Sequence, residues 1–235
     1  MSDPKVNQRL LLPPPFTAHV AGHGDILELT CARAQDGAGT LMWREAEGVL
    51  AFGLVLEPAP PLTQSEAETD FGYYAALAAL CDALARHGQP ERQVQIHWPD
   101  RVIYDAGLLA GARWRVGPKG DDGLPLWVVF AAELTRARVG LDQTGDYPQS
   151  TSLDEEDFPD SAQLLESFAA FLKLIVDRWS QQGADVVLRR ILDRVADRSA
   201  LENAEIKAGR LHLPRLGTML DEAGWRDPAR GGPRW

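Results

Sequence analysis

Residues 94–116, VQIHWPDRVIYDAGLLAGARWRV, limit the fold more than any other stretch of this chain. Val94, Ile96 and Trp98 alternate with Gln95 and His97, which is the period of a half-buried strand. Pro99 has no N–H to give a ladder, so the strand breaks at Pro99-Asp100. Val102, Ile103 and Tyr104 resume strand chemistry, Asp105-Ala106-Gly107 supplies a turn, and residues 108–114 predict a third strand. Gly111 lies inside that third strand. Glycine weakens a strand unless another backbone or a ligand must come close.

The flanking sequence alternates helices and strands. Asp25 is placed to cap a helix over 26–35 that Gly37 ends. Residues 40–44 and 49–56 predict two strands joined at Glu47-Gly48. A helix over 66–87 buries Phe71, Tyr74, Ala75, Ala78, Cys81 and Ala85 at three-four spacing. Residues 126–134, LWVVFAAEL, read as a strand buried on both faces. The stripe Leu164, Phe168, Phe171, Leu172, Ile175 and Trp179 defines a helix over 162–182, and a further helix covers 185–195. Residues 198–204 read as a linker and 205–213 as a hairpin, followed by a turn-rich tail. The expectation is an α+β domain over 1–197, a mixed β-sheet covered on one side by helices, with a small C-terminal β-rich appendage over 198–235.

A chain of 235 residues with a formal net charge of -10 is a poor general partner for nucleic acid. No apolar run approaches the ~18 residues of a membrane span, and the polar N-terminus does not read as a signal peptide. Two cysteines, Cys31 and Cys81, make no disulfide framework, so a reducing, cytoplasmic location is expected. Both fall in predicted helices and read as structural thiols, with a nucleophilic role as the sharper alternative. His19, His23 and Asp25 have a spacing open to a metal, but a loop with a capping aspartate is the simpler reading. The acidic run 154–157 is open to a metal, but a solvated loop is the simpler reading.

The ordered set His97-Trp98-Pro99-Asp100-Arg101, then Leu108-Leu109-Ala110-Gly111, resembles the central signature of the biotin/lipoate A/B protein ligase family. There a basic residue precedes Trp-Pro-Asn-Asp, and an apolar strand and turn lead to Lys-Leu-Ala-Gly. The helix before the signature and the strand and helix after it stand in family order, and the N-terminal third is similar to a bacterial subgroup without firmly assigned activity. The resemblance implies a site that takes biotin, lipoate or a related acid, adenylates it with Mg-ATP, and transfers it to a lysine of a carrier domain. It also brings a homodimer paired through the sheet into consideration.

Two departures bear on that activity. The family lysine has its place at Leu108, which offers neither donor nor charge. The long Gly/Arg-rich loop that clamps the adenylate phosphate is replaced by Glu45-Ala46-Glu47-Gly48, short and acidic, with only Arg44 beside it. The ligand-binding candidates that the resemblance leaves are Arg44, Trp98, Asp100, Arg101, Gly111 and Arg113. Arg101 and Arg113 read equally as ion-pair partners of Asp100 or Asp105, and Trp98 as a core residue. Three readings stay open: an acid–protein ligase, a non-catalytic ligase-like binding or interaction domain, and a transferase that uses Cys31 or Cys81.

Overall fold

A computed structural model describes residues 9–59, 62, 63, 65, 68–140, 147–197, 205–207, 210–212, 216, 220 and 223–235. Among these, seven strands make one mixed sheet: β1 (Thr17–Val20), β2 (Thr40–Ala46), β3 (Val49–Leu56), β4 (Val94–His97), β5 (Arg101–Tyr104), β6 (Gly107–Val116) and β7 (Val128–Thr135). Their order across the sheet is β1-β2-β3-β7-β6-β5-β4. Only β1 and β2 pair in parallel; the other neighbours are antiparallel. The 94–116 stretch therefore forms one flank of the sheet, three strands deep, as its sequence predicts. A separate antiparallel hairpin joins β8 (Glu205–Lys207) to β9 (Arg210–His212).

Among the described residues the α-helices are α1 (Ile26–Cys31), α2 (Phe71–His87), α3 (Ser161–Gln182) and α4 (Asp185–Leu192). Leu50, Phe52 and Leu54 of β3 and Phe130, Ala132 and Leu134 of β7 face the large cluster that α2, α3 and α4 close. Phe168 of α3 sets its ring 4.8 Å from Phe52. The residues between them, Ala51, Val55, Val129 and Ala131, pack instead with Ile26 and Leu27 of α1. Both faces of β3 and β7 are thus covered, which is why these strands read as continuous apolar runs. The expected one-sided helical cover is corrected accordingly: α1 lies on the second face, and residues 223–235 share that face.

Local chemistry explains the boundaries. Glu47 (φ 53°) and Gly48 (φ 74°) both adopt the left-handed conformation of a two-residue hairpin, so β2 runs straight back into β3. Asp25 caps α1 by accepting from the N–H groups of Leu27 and Glu28. That helix stops at Cys31, short of the expected residue 35; a 3₁₀ turn, Ala34–Asp36, takes up the rest before Gly37. Gly53 lies under α1, where a Cβ would come 2.1 Å from Thr30 Oγ1. α2 begins at Phe71 rather than 66, and residues 66 and 67 lie outside the described residues. Asp160 caps α3 by accepting from Gln163 N–H at 2.9 Å.

The acidic run 154–157 is largely exposed, as expected of a solvated loop, and three of its residues are also ion-paired. Asp154 pairs with Arg136, Glu155 with Arg138, and Glu156 with Arg92 and the Thr151 hydroxyl. It fastens the α3 connection to the end of β7. Among the described residues, no helix is long and apolar enough to cross a membrane.

Candidate functional site

Strand register lines up five residues across the second face: Arg44 opposite Ala51, Ala51 opposite Glu133, Glu133 opposite Gly111, and Gly111 opposite Arg101. Directly opposed residues of neighbouring strands project from the same face. The row thus runs from β2 to β5 beside α1, and the C-terminal residues lie over it.

Trp225 covers Gly111. A Cβ on Gly111 would come 2.2 Å from the indole carbons, so only glycine leaves room for this ring. The indole is 4% exposed, and its Nε1–H donates to Asp100 Oδ2 at 2.8 Å. Arg226 follows over β7. Its Nε and Nη2 donate to the two carboxylate oxygens of Glu133 at 2.6 and 3.0 Å, a bidentate pair. Glu133 is 1% exposed, and a carboxylate so deep demands partners. Arg113 also donates to Glu133, at 3.2 Å, and its fork holds both oxygens of Asp25 at 2.8 and 2.9 Å. Arg226 approaches Asp25 to 3.2 Å, which closes a four-membered charge cluster.

Two carboxylates here titrate in opposite senses. Burial pushes the Asp25 carboxyl up, but the hydrogen bond and charge of Arg113 and the charge of Arg226 outweigh it, so its pKa falls below the ordinary value. Burial also pushes Asp100 up, and there the Trp225 hydrogen bond and the Arg101 charge offset it only in part, so its pKa is raised.

Clefts open on either side of Arg226. One, of about 350 Å³, is lined by Arg113, Arg115, Arg226 and Arg234; the other, of about 340 Å³, by His23, Asp25, Arg44, Arg226 and Arg230. Among the described residues, no lysine lines either. A third, apolar cleft of about 210 Å³ lies on the helical side, against Phe16, Leu56, Leu172 and Trp179, and none of the ligand-binding candidates lines it.

The sequence candidates separate accordingly. Gly111, Arg113 and Asp100 meet at the covered row. Arg113 pairs with Asp25 and Glu133 rather than with Asp100 or Asp105. Arg44 stands at the far end and donates to Gly22 O at 3.0 Å. Arg101 is 53% exposed, with Asp100 at 3.9 Å. Trp98 is not part of the group: it stacks on Tyr74 of α2 at 5.6 Å, on the helical face. Leu108 is held through its backbone, with its N–H donating to Gln149 O and its C=O accepting from Thr151 N–H.

Burial pushes the Cys81 thiol up to about 12 and the Cys31 thiol up to about 11, which disfavours the thiolate that a nucleophile needs. Asp25 is committed to its cap and to Arg113, and among the described residues no three His, Cys, Asp or Glu groups converge on a metal position.

Sequence reasoning missed Glu133, Trp225 and Arg226. Glu133 had a signal: a lone acid inside an apolar strand must find a cation. Trp225 had none, because 125 residues separate it from Asp100.

The Biotin/lipoate A/B protein ligase family profile matches residues 12–192. No curated protein matches the chain. Among solved structures, a biotin protein ligase-like protein of unknown function from Silicibacter sp. TM1040 aligns with a TM-score of 0.68 at 24% identity, covering 86% of each chain. The biotin protein ligase of Leishmania major in complex with biotin aligns at 0.54 and 15% identity, over 84% of this chain and 87% of that one. The biotin protein ligase of Aquifex aeolicus in complex with biotin and ATP aligns at 0.52 and 12%, over 77% of each. At these identities the likeness speaks for the fold, while the profile match spans most of the sequence: the chain belongs to the biotin/lipoate A/B protein ligase family.

Proposed function

We propose that this protein is a ligase-fold binding domain, one that recognises a ligand at the β6–β7 face without activating an acid. The observation that supports it is the sign of the charge on that face. Asp25, Asp100 and Glu133 converge there, and the cations among them, Arg113 and Arg226, are already committed to carboxylates. Acid activation joins a carboxylate to the α-phosphate of ATP as pyrophosphate leaves, and it needs cations where negative charge gathers. A phosphate set between Asp25, Asp100 and Glu133 would meet like charge, and Glu47 of the β2–β3 turn adds to it. Leu108 supplies nothing in the lysine's stead. Loss of one preorganised electrostatic group costs ~10²–10³ in rate. The carboxylates at the centre of this face therefore speak against ATP there.

The test is acid-dependent pyrophosphate exchange with Mg-ATP and biotin, lipoate or octanoate in turn. The expected result is no exchange above the protein-free rate with any acid. A second reading has one observation in its favour: Arg44 stands beside Arg226 and Arg230 in a cleft where guanidinium groups outnumber lysines and a phosphate has donors. In that reading biotin or lipoate with Mg-ATP are substrates and a carrier-domain lysine accepts the acyl group. Exchange above background with any of the three acids would establish this reading and sink the first.

A further inference from the structure

The C-terminal segment meets the sheet as a bound peptide would. Among the described residues, the backbone hydrogen bonds of 223–235 are internal: Arg226 N–H donates to Ala223 O, Asp227 N–H to Gly232 O, Gly231 N–H to Asp227 O and Arg234 N–H to Trp225 O. The guanidinium of Arg230 lies 3.1 Å over the Trp235 ring, which closes the loop on itself. The sheet is reached mainly through side chains, chiefly the Trp225 indole and the Arg226 fork. Tryptophan and arginine are the residues that dominate protein interfaces, and here they fill the desolvated centre of the contact. An apolar plug would have stabilised the fold more cheaply, since a buried ion pair often gains little over hydrophobic packing of the same volume.

We infer that residues 224–235 are a built-in occupant of the ligand face, and that the ligands able to take their place carry a flat ring with an N–H donor beside a guanidinium or ammonium group. This rests on reading the face as a binding site rather than an adenylation site. The charge balance gives the ligand class. With Trp225 and Arg226 lifted away, Glu133 and Asp25 share one close cation, Arg113, and Asp100 loses its indole donor and keeps only Arg101, at 3.9 Å. The spot that Arg226 leaves is flanked by two carboxylates and one guanidinium, beside an indole-sized recess over Gly111. A carboxylate ligand meets repulsion there; a cationic donor replaces what Arg226 gave.

The experiment uses full-length Trp225→Gly/Arg226→Gly and two dipeptide amides, acetyl-Trp-Arg-amide and acetyl-Trp-Glu-amide, with binding followed by calorimetry. The Trp-Arg amide should bind the variant at least about tenfold more tightly than the Trp-Glu amide, because like charge is excluded. It should give no measurable heat with the wild type, whose face is filled. Equal or tighter binding of the Trp-Glu amide, binding of the Trp-Arg amide to wild type and variant alike, or no binding to a folded variant would each overturn the inference. Should the double variant not fold, Trp225→Gly alone keeps Arg226 on Glu133 and leaves only the ring recess. Free indole should then raise its melting midpoint by roughly a few degrees and leave wild type unmoved; no shift in that variant is equally fatal. Pyrophosphate exchange fails or succeeds independently of these readouts, so the binding-domain reading and this inference can fall separately.

Discussion

Asp100 is the residue whose behaviour is least expected from its neighbours. It is 5% exposed, its pKa is raised, and its one strong partner is the neutral N–H of Trp225. A carboxyl with a folded pKa above its unfolded value of ~3.9 stabilises the fold below that value, and the contribution is lost as pH rises through the folded pKa. At neutral pH its ionisation works against folding. Asp100→Asn keeps an acceptor for the indole and removes the charge, so its melting midpoint should exceed that of wild type at pH 7, with the gap closing toward pH 3. Asp100→Ala leaves the indole N–H unpaired and should cost about 1–3 kcal/mol in denaturant unfolding near pH 3, and less at pH 7, where it also removes the unfavourable charge. Asp100 and Gly111 were visible in the sequence as unusual residues in a strand meander. What they meet was not, because nothing local to them encodes an indole more than a hundred residues on.

At the scale of elements, legibility followed burial on one face or two. β4 announces itself by alternation and α3 by its stripe, because each has a wet side and a dry side, while β5 and β6, buried along most of their length, are marked by apolar runs between turn residues. β1 shows no such contrast: none of its four residues is fully buried, and it joins the sheet through backbone pairing to β2. The overrun of α1 has a similar origin, since residues 32–36 keep helical composition while the chain tightens into a 3₁₀ turn. The α1–β3 contact is close enough to predict from. Gly53→Ala would drive a methyl into Thr30, whose Oγ1 is already held by Ile26 O at 2.7 Å. Overpacking of this kind costs about 1–3 kcal/mol, measurable as a lower denaturant midpoint with an unchanged slope.

For the molecule as a whole, the charge cluster ties together four parts of the chain: the cap of α1, β6, β7 and the C-terminal segment. Asp25 has a depressed pKa, the reverse of Asp100, so its contribution is present above ~3.9 and is lost as pH falls through the lower folded value. Melting midpoints taken from pH 7 to pH 2 should fall at the acid end in wild type and fall less in Asp25→Asn, whose neutral-pH midpoint starts lower. The α+β architecture was open to sequence reasoning because a motif in fixed order carries it. The arrangement of the site was not, because it depends on charges brought together across the sheet. The same arrangement gives the protein an optical reporter. Trp225 is one of seven tryptophans, and its indole sits out of water against a carboxyl group. Lifting residues 224–235 from the face would move that ring into solvent and shift its emission to the red, so the unmodified protein would signal by its own fluorescence whether the face is covered or open.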